Sequence, residues 1–223
     1  MSSFSNPEIV SGYAARTEQL VPGLHHLHQM TGLLLAESAP VNARVLVLGA
    51  GGGMELKVLS EMQPGWHFDG VDPSAEMLQL AKINLGAQAS RVAFHEGYID
   101  SASEGPFDAA VCLLTLHFLP KQERLQTLHE VQSRLKPGAP FVTAHHSFPN
   151  TDAELDRWLT RYAAFGAMSG VPDAQNNIKA MKERLPVLSP EQDETLLREA
   201  GFSDIELFYA GLTFKGWVGY KTT

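Results

Sequence analysis

Cysteine is almost missing from this chain: Cys112 is the only one. No internal disulfide can form, and a structural zinc site built on thiolates has no ligand set. Long apolar runs are missing too. None approaches the roughly 18 residues that a membrane-crossing helix needs. Met1 to Val10 contains no basic stretch leading into an apolar core, so no secretory leader is read there and a cytoplasmic protein without membrane attachment is expected. Charge is sparse and mostly of one sign, with 19% charged residues and a formal net charge of -8. That leaves no broad basic face to neutralise phosphates, which disfavours nucleic acid as a partner and favours a small molecule. What the chain does have is 44% hydrophobic residues, with 19 Gly and 13 Pro spread over 223 positions. Neither a disordered tail nor a fibrous repeat has that composition, and the length suits one domain.

Apolar spacing in residues 6–35 (Ile9, Tyr13, Leu20, Leu24, Leu27, Met30, Leu33, Leu34) is helical and is interrupted at Pro22-Gly23, which predicts two helices. Residues 44–48 read as a strand ending in a glycine cluster, and 54–62 as a helix stopped by Pro64-Gly65. The unit repeats with a strand over 67–71, a turn at Asp72-Pro73-Ser74 and a helix over 75–85 capped by Ser74. Further strands are expected at 91–95, 107–114 and 139–144, with a helix over 121–135 before the last of them. Alternation of this kind implies parallel strands joined by right-handed crossovers. Residues 151–182 depart from it, reading as two helices split at 166–172 with no strand between them. Ser189 and Pro190 start a helix that should stop at Gly201. The runs 204–209 and 213–220 are joined by Ala210-Gly211-Leu212, too short for a crossover, so they form an antiparallel pair. The expected fold class is therefore α/β: a doubly wound, Rossmann-like, mostly parallel seven-stranded sheet ending in a hairpin. Within one domain, 1–40 supply N-terminal helices, 41–148 the ligand-binding core, 149–188 a helical insert or lid, and 189–223 the last helix and hairpin.

Chemistry is concentrated at two places. Gly49-Ala50-Gly51-Gly52-Gly53 follows the first strand and precedes a helix, so backbone N–H groups and the helix dipole can meet a nucleotide-like ligand there. Asp72 stands at the end of the second strand, 19 residues past Gly53. A carboxylate so placed accepts the two hydroxyls of a ribose, and it can also cap the next helix. A dinucleotide fingerprint would need a very small residue at position 54, where this chain has Met54. That argues against a nicotinamide cofactor.

The G-x-G-x-G spacing, with Gly70-Val71-Asp72-Pro73-Ser74 and Met77, then 107–111, Leu116-His117-Phe118-Leu119 and Leu135-Lys136-Pro137-Gly138-Ala139, resembles the class I S-adenosylmethionine-dependent methyltransferases over most of the chain. Within that superfamily it is similar to the carboxy-S-adenosylmethionine synthases of tRNA wobble-uridine modification, through Leu20-Val21-Pro22-Gly23, residues 114–120, Glu199-Ala200-Gly201-Phe202 and residues 214–218. Those enzymes are expected to hold their extra carboxylate with an Arg where this chain has Leu196, and an unpartnered buried carboxylate is costly. The resemblance thus implies ordinary S-adenosyl-L-methionine as cofactor. It places the cofactor against Tyr13, Gly49, Ala50, Gly51, Gly53, Asp72, Pro73, Met77 and Leu113, with the adenine beside Gly97, Tyr98 and Ile99. Two departures stand out. Val47 and Leu113 occupy positions where acidic and polar residues usually hold the methionine amino group, and Tyr98 replaces another usual acid. Backbone carbonyls or Tyr13 are the available substitutes.

If the acceptor must lose a proton, the base is expected among His145, His146 and His117, at the carboxyl ends of the fourth and fifth strands. His25, His26 and His28 read as a solvated helix face, not as metal ligands. Arg157, Trp158, Arg161, Tyr162 and Phe165 lie in the expected lid. The function expected is methyl transfer to a small-molecule acceptor, with a homodimer through the N-terminal helices implied by the resemblance. The alternatives are a carboxy-S-adenosylmethionine synthase-like enzyme and a catalytically silent S-adenosyl-binding partner protein.

Overall fold

The computed structural model describes residues 7–171 and 177–222; Asn6 and Pro172, at the edges of two expected segments, lie outside them. Five parallel strands, β1 (Arg44–Leu48), β2 (His67–Asp72), β3 (Val92–Glu96), β4 (Ala109–Leu113) and β5 (Pro140–His146), form most of a seven-stranded sheet in the order β3-β2-β1-β4-β5-β7-β6. The last two, β6 (Phe202–Gly211) and β7 (Phe214–Lys221), are antiparallel to each other, and β7 is antiparallel to β5. The doubly wound sheet with a closing hairpin is therefore the fold observed.

Alternation along β1 decides how the layers form. Val45 and Val47 join a core with Leu27 and Leu35 of α2 (Leu24–Ala36) and Leu56 and Leu59 of α3 (Met54–Met62). Leu46 and Leu48 face the other side, with Leu128 and Val131 of α5 (Lys121–Ser133) and Leu196 and Leu197 of α8 (Pro190–Glu199). Helix α1 (Pro7–Leu20) packs against α4 (Ala75–Leu85) and α6 (Asp152–Met168), and α7 (Asn177–Arg184) completes the insert.

Local signals set several boundaries. The Ser74 hydroxyl accepts from the Met77 N–H, and Ser189 with Gln192 makes a full capping box at α8. Only β1 has the expected bounds: β2 ends one residue later than 67–71, β6 extends two residues beyond 204–209 at each end, and β7 runs one residue later than 213–220. β3 runs one residue later than 91–95, and β4 is shorter than 107–114, because Phe107 makes only an isolated bridge to Leu135. β5 continues past Ala144 through His145 and His146, because β7 goes on pairing with them after β4 has ended.

Candidate active site

In this strand order the chain turns back between β1 and β4, and such a switch point leaves a crevice at the carboxyl ends of the strands. The glycine turn sits there. The N–H groups of Gly49 and Ala50 donate to the Val71 carbonyl at 2.8 and 3.0 Å, tying the turn to β2. Asp72 completes it: the Gly51 N–H donates to Oδ2 and the Ser74 N–H to Oδ1, each at 2.9 Å. Burial raises the Asp72 carboxyl above its ordinary range, against these two hydrogen bonds, which pull it down. The carboxylate therefore holds the loop in shape and still has lone pairs to offer a ligand.

Two glycines of the turn do different work. At Gly51, with φ +43°, an added Cβ would lie 3.5 Å from the Met77 Cε and 3.9 Å from Asp72 Oδ2, so there is room beside the backbone. At Gly53, with φ +76°, the added Cβ would fall 2.9 Å from Cα of Ala81. Gly53, expected at the ligand, is thus required by packing of the turn on α4. Both Gly51→Ala and Gly53→Ala should carry the left-handed backbone cost of about 1–2 kcal/mol. Gly53→Ala should add an overpacking cost of about 1–3 kcal/mol. Urea unfolding of the two variants checks this ordering, and equal midpoints would contradict it.

Beneath α1 the turn opens into a small recess of about 20 Å³ whose lining includes Tyr13, His28, Gly51, Glu55, Leu113 and Leu114. Leu114 has a left-handed backbone, φ 55°, which bends the chain sharply as it leaves β4. Tyr13 reaches over the turn, its ring 3.5 Å from where a Cβ on Gly52 would be. Burial pushes the Tyr13 hydroxyl up to about 12, with help from Glu55. Val47 does not line the recess; it is fully buried in the core beneath α2 and α3. Leu113 keeps 5% exposure and Ala50 none. Met77 is buried under the turn, and Pro73 is exposed beyond Asp72. On the other side of Asp72, the Gly97 N–H donates to the Asp72 carbonyl at 3.0 Å. That bond brings Tyr98, 66% exposed, and the buried Ile99 to the rim beside the carboxylate.

The three histidines separate. His146 stacks on Phe214 at 4.0 Å between centroids, meets Tyr162 edge-on at 5.2 Å and lies 4.8 Å from the His117 ring. His145 points to the opposite face of β5, against Trp217, with Nε2 3.3 Å from Asp193 Oδ1. Burial lowers His146 to about 3 and His117 well below the usual imidazole range. An imidazole titrating near neutral pH, the basis for proposing these two as bases, is therefore not what this cluster provides. Among the described residues lining the recess, none of the three appears. In the insert, Tyr162 packs into the same cluster, Arg161 lies over Trp158 at 4.7 Å, and Arg157 pairs with Glu154.

Two residues that sequence reasoning did not assign to the site, His28 and Glu55, do line the recess. His28 is 4% exposed, and burial lowers it to about 4, so only His25 and His26 belong to a solvated face. Glu55 is 7% exposed, one residue into α3. Both lie on apolar stripes, His28 among Leu24, Leu27 and Leu35, and Glu55 with Leu56 and Leu59. A polar residue at such a position was the available signal.

Residues 45–138 match the family model described as a methyltransferase domain. Over 99% of its length the chain is 27% identical to the carboxy-S-adenosyl-L-methionine synthase of Chromohalobacter salexigens, covering 84% of that protein. Among solved structures it superposes on a protein of Nostoc punctiforme named as an O-methyltransferase, with TM-score 0.70 and 20% identity over 96% of this chain, though it spans only 59% of that one. It also superposes on the magnesium protoporphyrin IX methyltransferase of Synechocystis solved with bound S-adenosylhomocysteine, with TM-score 0.66 and 15% identity, covering 92% of this chain and 86% of that one. The glycine turn, Asp72, the strand order and these likenesses make the chain similar to the class I S-adenosylmethionine-dependent methyltransferases. Within that class it is similar to the carboxy-S-adenosylmethionine synthases along nearly its whole length.

Proposed function

We propose that this chain transfers a methyl group from S-adenosyl-L-methionine to a small organic acceptor. The observation that carries the reading is the assembly of the glycine turn and Asp72 around one crevice, opening into a recess whose only ionisable lining groups, among the described residues, are Tyr13, His28 and Glu55. Among the described residues no Lys or Arg lines it. Gly51 leaves space for close approach of a ligand, Asp72 offers acceptors for the ribose hydroxyls, and the rim at Tyr98 and Ile99 offers a ring face and apolar surface for the adenine. When bound, the sulfonium supplies an already activated methyl. The chain's own part is then to hold acceptor and cofactor in line and to keep water out, which α1 does at Tyr13. His117 and His146, kept neutral by burial, do not line the recess and take no part in this reading. A cytoplasmic setting belongs to the same reading. So does a homodimer through the N-terminal helices, which the 60% exposed Leu33 on α2 supports; sedimentation of the full chain tests it.

The relatives motivate a second reading, formation of carboxy-S-adenosylmethionine. What weighs against it is that, among the described residues, no Lys or Arg lines the recess; Leu196, where those enzymes are expected to carry an Arg, is fully buried among Leu46, Leu48 and Trp217 on the other face of the sheet and does not line it. An added carboxylate in the recess would find no cation. Mass spectrometry of ligand released from the purified protein separates the two. The expected species is S-adenosylmethionine or S-adenosylhomocysteine, and a species heavier than S-adenosylmethionine by carbon dioxide would favour the synthase. Calorimetric titration with S-adenosylhomocysteine is expected to show saturable binding, and its absence would overturn the proposal.

A further inference from the structure

The methionine end of S-adenosylmethionine carries an ammonium, and the position where a carboxylate usually meets it is Val47, packed in the core with no access to the recess. Glu55 is the carboxylate that does line the recess, beside Gly51, Gly52 and the bend at Leu113 and Leu114. It is 7% exposed, and among the described residues no Lys, Arg or His pairs with it. The groups that face it come from four elements: Tyr13 on α1, His28 on α2, Asp72 on β2 and Cys112 on β4. None supplies a positive charge at neutral pH. Tyr13 and Cys112 are held neutral by burial, and His28 is neutral because burial lowers it to about 4. A carboxylate taken out of water without a partner is costly to keep, unless a ligand brings the missing cation.

We propose that Glu55 binds the α-ammonium of the cofactor's amino-acid end and so replaces the acid absent at Val47. The assignment rests on the cofactor reading above. It predicts proton linkage. In the free protein, burial raises Glu55 to about 8, offset in part by a hydrogen bond from its own backbone N–H and reinforced by Asp72. At neutral pH the free side chain is thus mostly protonated, and an arriving ammonium favours the ionised form. Binding should release close to one proton per ligand below the free-state pKa, and affinity should climb about tenfold per pH unit until that pKa is reached. A Glu that only stabilises the first turn of α3 through the helix dipole predicts neither effect.

The test titrates full-length protein, wild type and Glu55→Gln, with S-adenosylhomocysteine and with 5′-methylthioadenosine, which has the nucleoside but no amino-acid end. Calorimetry is run near pH 6.5 and near pH 8 in buffers of different ionisation enthalpy. Wild type should release about one proton on binding S-adenosylhomocysteine at the lower pH and almost none on binding 5′-methylthioadenosine. Glu55→Gln should abolish the release. It should also weaken S-adenosylhomocysteine at least about tenfold near pH 8, as expected for loss of a charge-assisted contact, and leave 5′-methylthioadenosine within about twofold. Unchanged S-adenosylhomocysteine affinity in the variant, or an equal loss for both ligands, overturns the role of Glu55 alone. Wild type that binds neither compound overturns the cofactor reading with it. Proton release and pH dependence in wild type need no variant, so a poorly folding Glu55→Gln does not protect the proposal.

Discussion

Asp72→Ala is expected to weaken S-adenosylhomocysteine binding by about 10²–10⁴-fold. Hydrogen bonds to a charged partner are worth about 1.5–3 kcal/mol each, and two ribose hydroxyls depend on this one carboxylate. About 1.4 kcal/mol corresponds to a factor of ten. The substitution also frees the Gly51 and Ser74 N–H groups, which Asp72 now holds at 2.9 Å, so loop ordering is lost with the contact. Asp72→Asn keeps the shape and one acceptor and should fall between wild type and Ala. Because burial raises the Asp72 carboxyl, its ionised form is lost on acidification at a higher pH than for an ordinary aspartate. Cofactor affinity should decline over that range. Isothermal titration of the three proteins decides the matter, and wild-type affinity in the Ala variant would remove the basis of the site.

Arg124→Leu should produce the largest loss of stability. Arg124 is fully buried and Asp193 is 2% exposed, with Nη1 2.6 Å from Oδ1. The second guanidinium nitrogen donates to the carbonyls of Leu119 and Pro186 at 3.3 and 3.1 Å. One side chain therefore pins α5, the approach to α8 and α8 itself. Removing it leaves the buried Asp193 carboxylate with His145 as its only remaining charge partner among the described residues, at a cost of about 3–5 kcal/mol, or about 10 °C of melting temperature for a domain of this size. Burial tends to raise Asp193, but His145 and Arg124 outweigh it and the carboxyl lies below its ordinary range. A lowered carboxylate stabilises the fold above its unfolded pKa and loses that contribution as pH falls through the folded one. The wild-type advantage over Arg124→Leu should thus be full at neutral pH and shrink in strong acid. Replacing both partners by Leu should recover most of the loss, since the uncompensated charge is then gone. The pair packs on the face of the sheet opposite α2 and α3, so S-adenosylhomocysteine affinity measured well below melting should change by less than about twofold. Thermal unfolding by circular dichroism provides the readout, and a single variant as stable as wild type would contradict the argument.

His145 illustrates how little of the site's side-chain environment follows from local sequence. It stands next to His146, yet one ring enters the Arg124–Asp193 pair and the other an aromatic cluster, because neighbours on a strand face opposite layers. The strand end itself was placed at Ala144 by composition; pairing with Lys215 and Phe214 across β7 carries it two residues further. Glu55 was passed over, and His28 read as solvated, for a related reason. Their helices were recognised, but whether a polar side chain faces water or a recess depends on which stripe meets the sheet and on where α1 comes to rest.

The chain alone fixed β1, α3 and α4, the caps at Ser74 and Ser189, the glycine turn and the position of Asp72. Those features depend on backbone stereochemistry, side-chain period and hydrogen bonds within a few residues. Burial in the assembled layers decided the rest: that Gly53 serves packing, that Val47 is sealed in the core, that two histidines are kept neutral, and that a buried carboxyl group with no cationic partner among the described residues lies beneath α1. Desolvation and ion pairing depend on distances between segments far apart in the chain, and no local pattern encodes them.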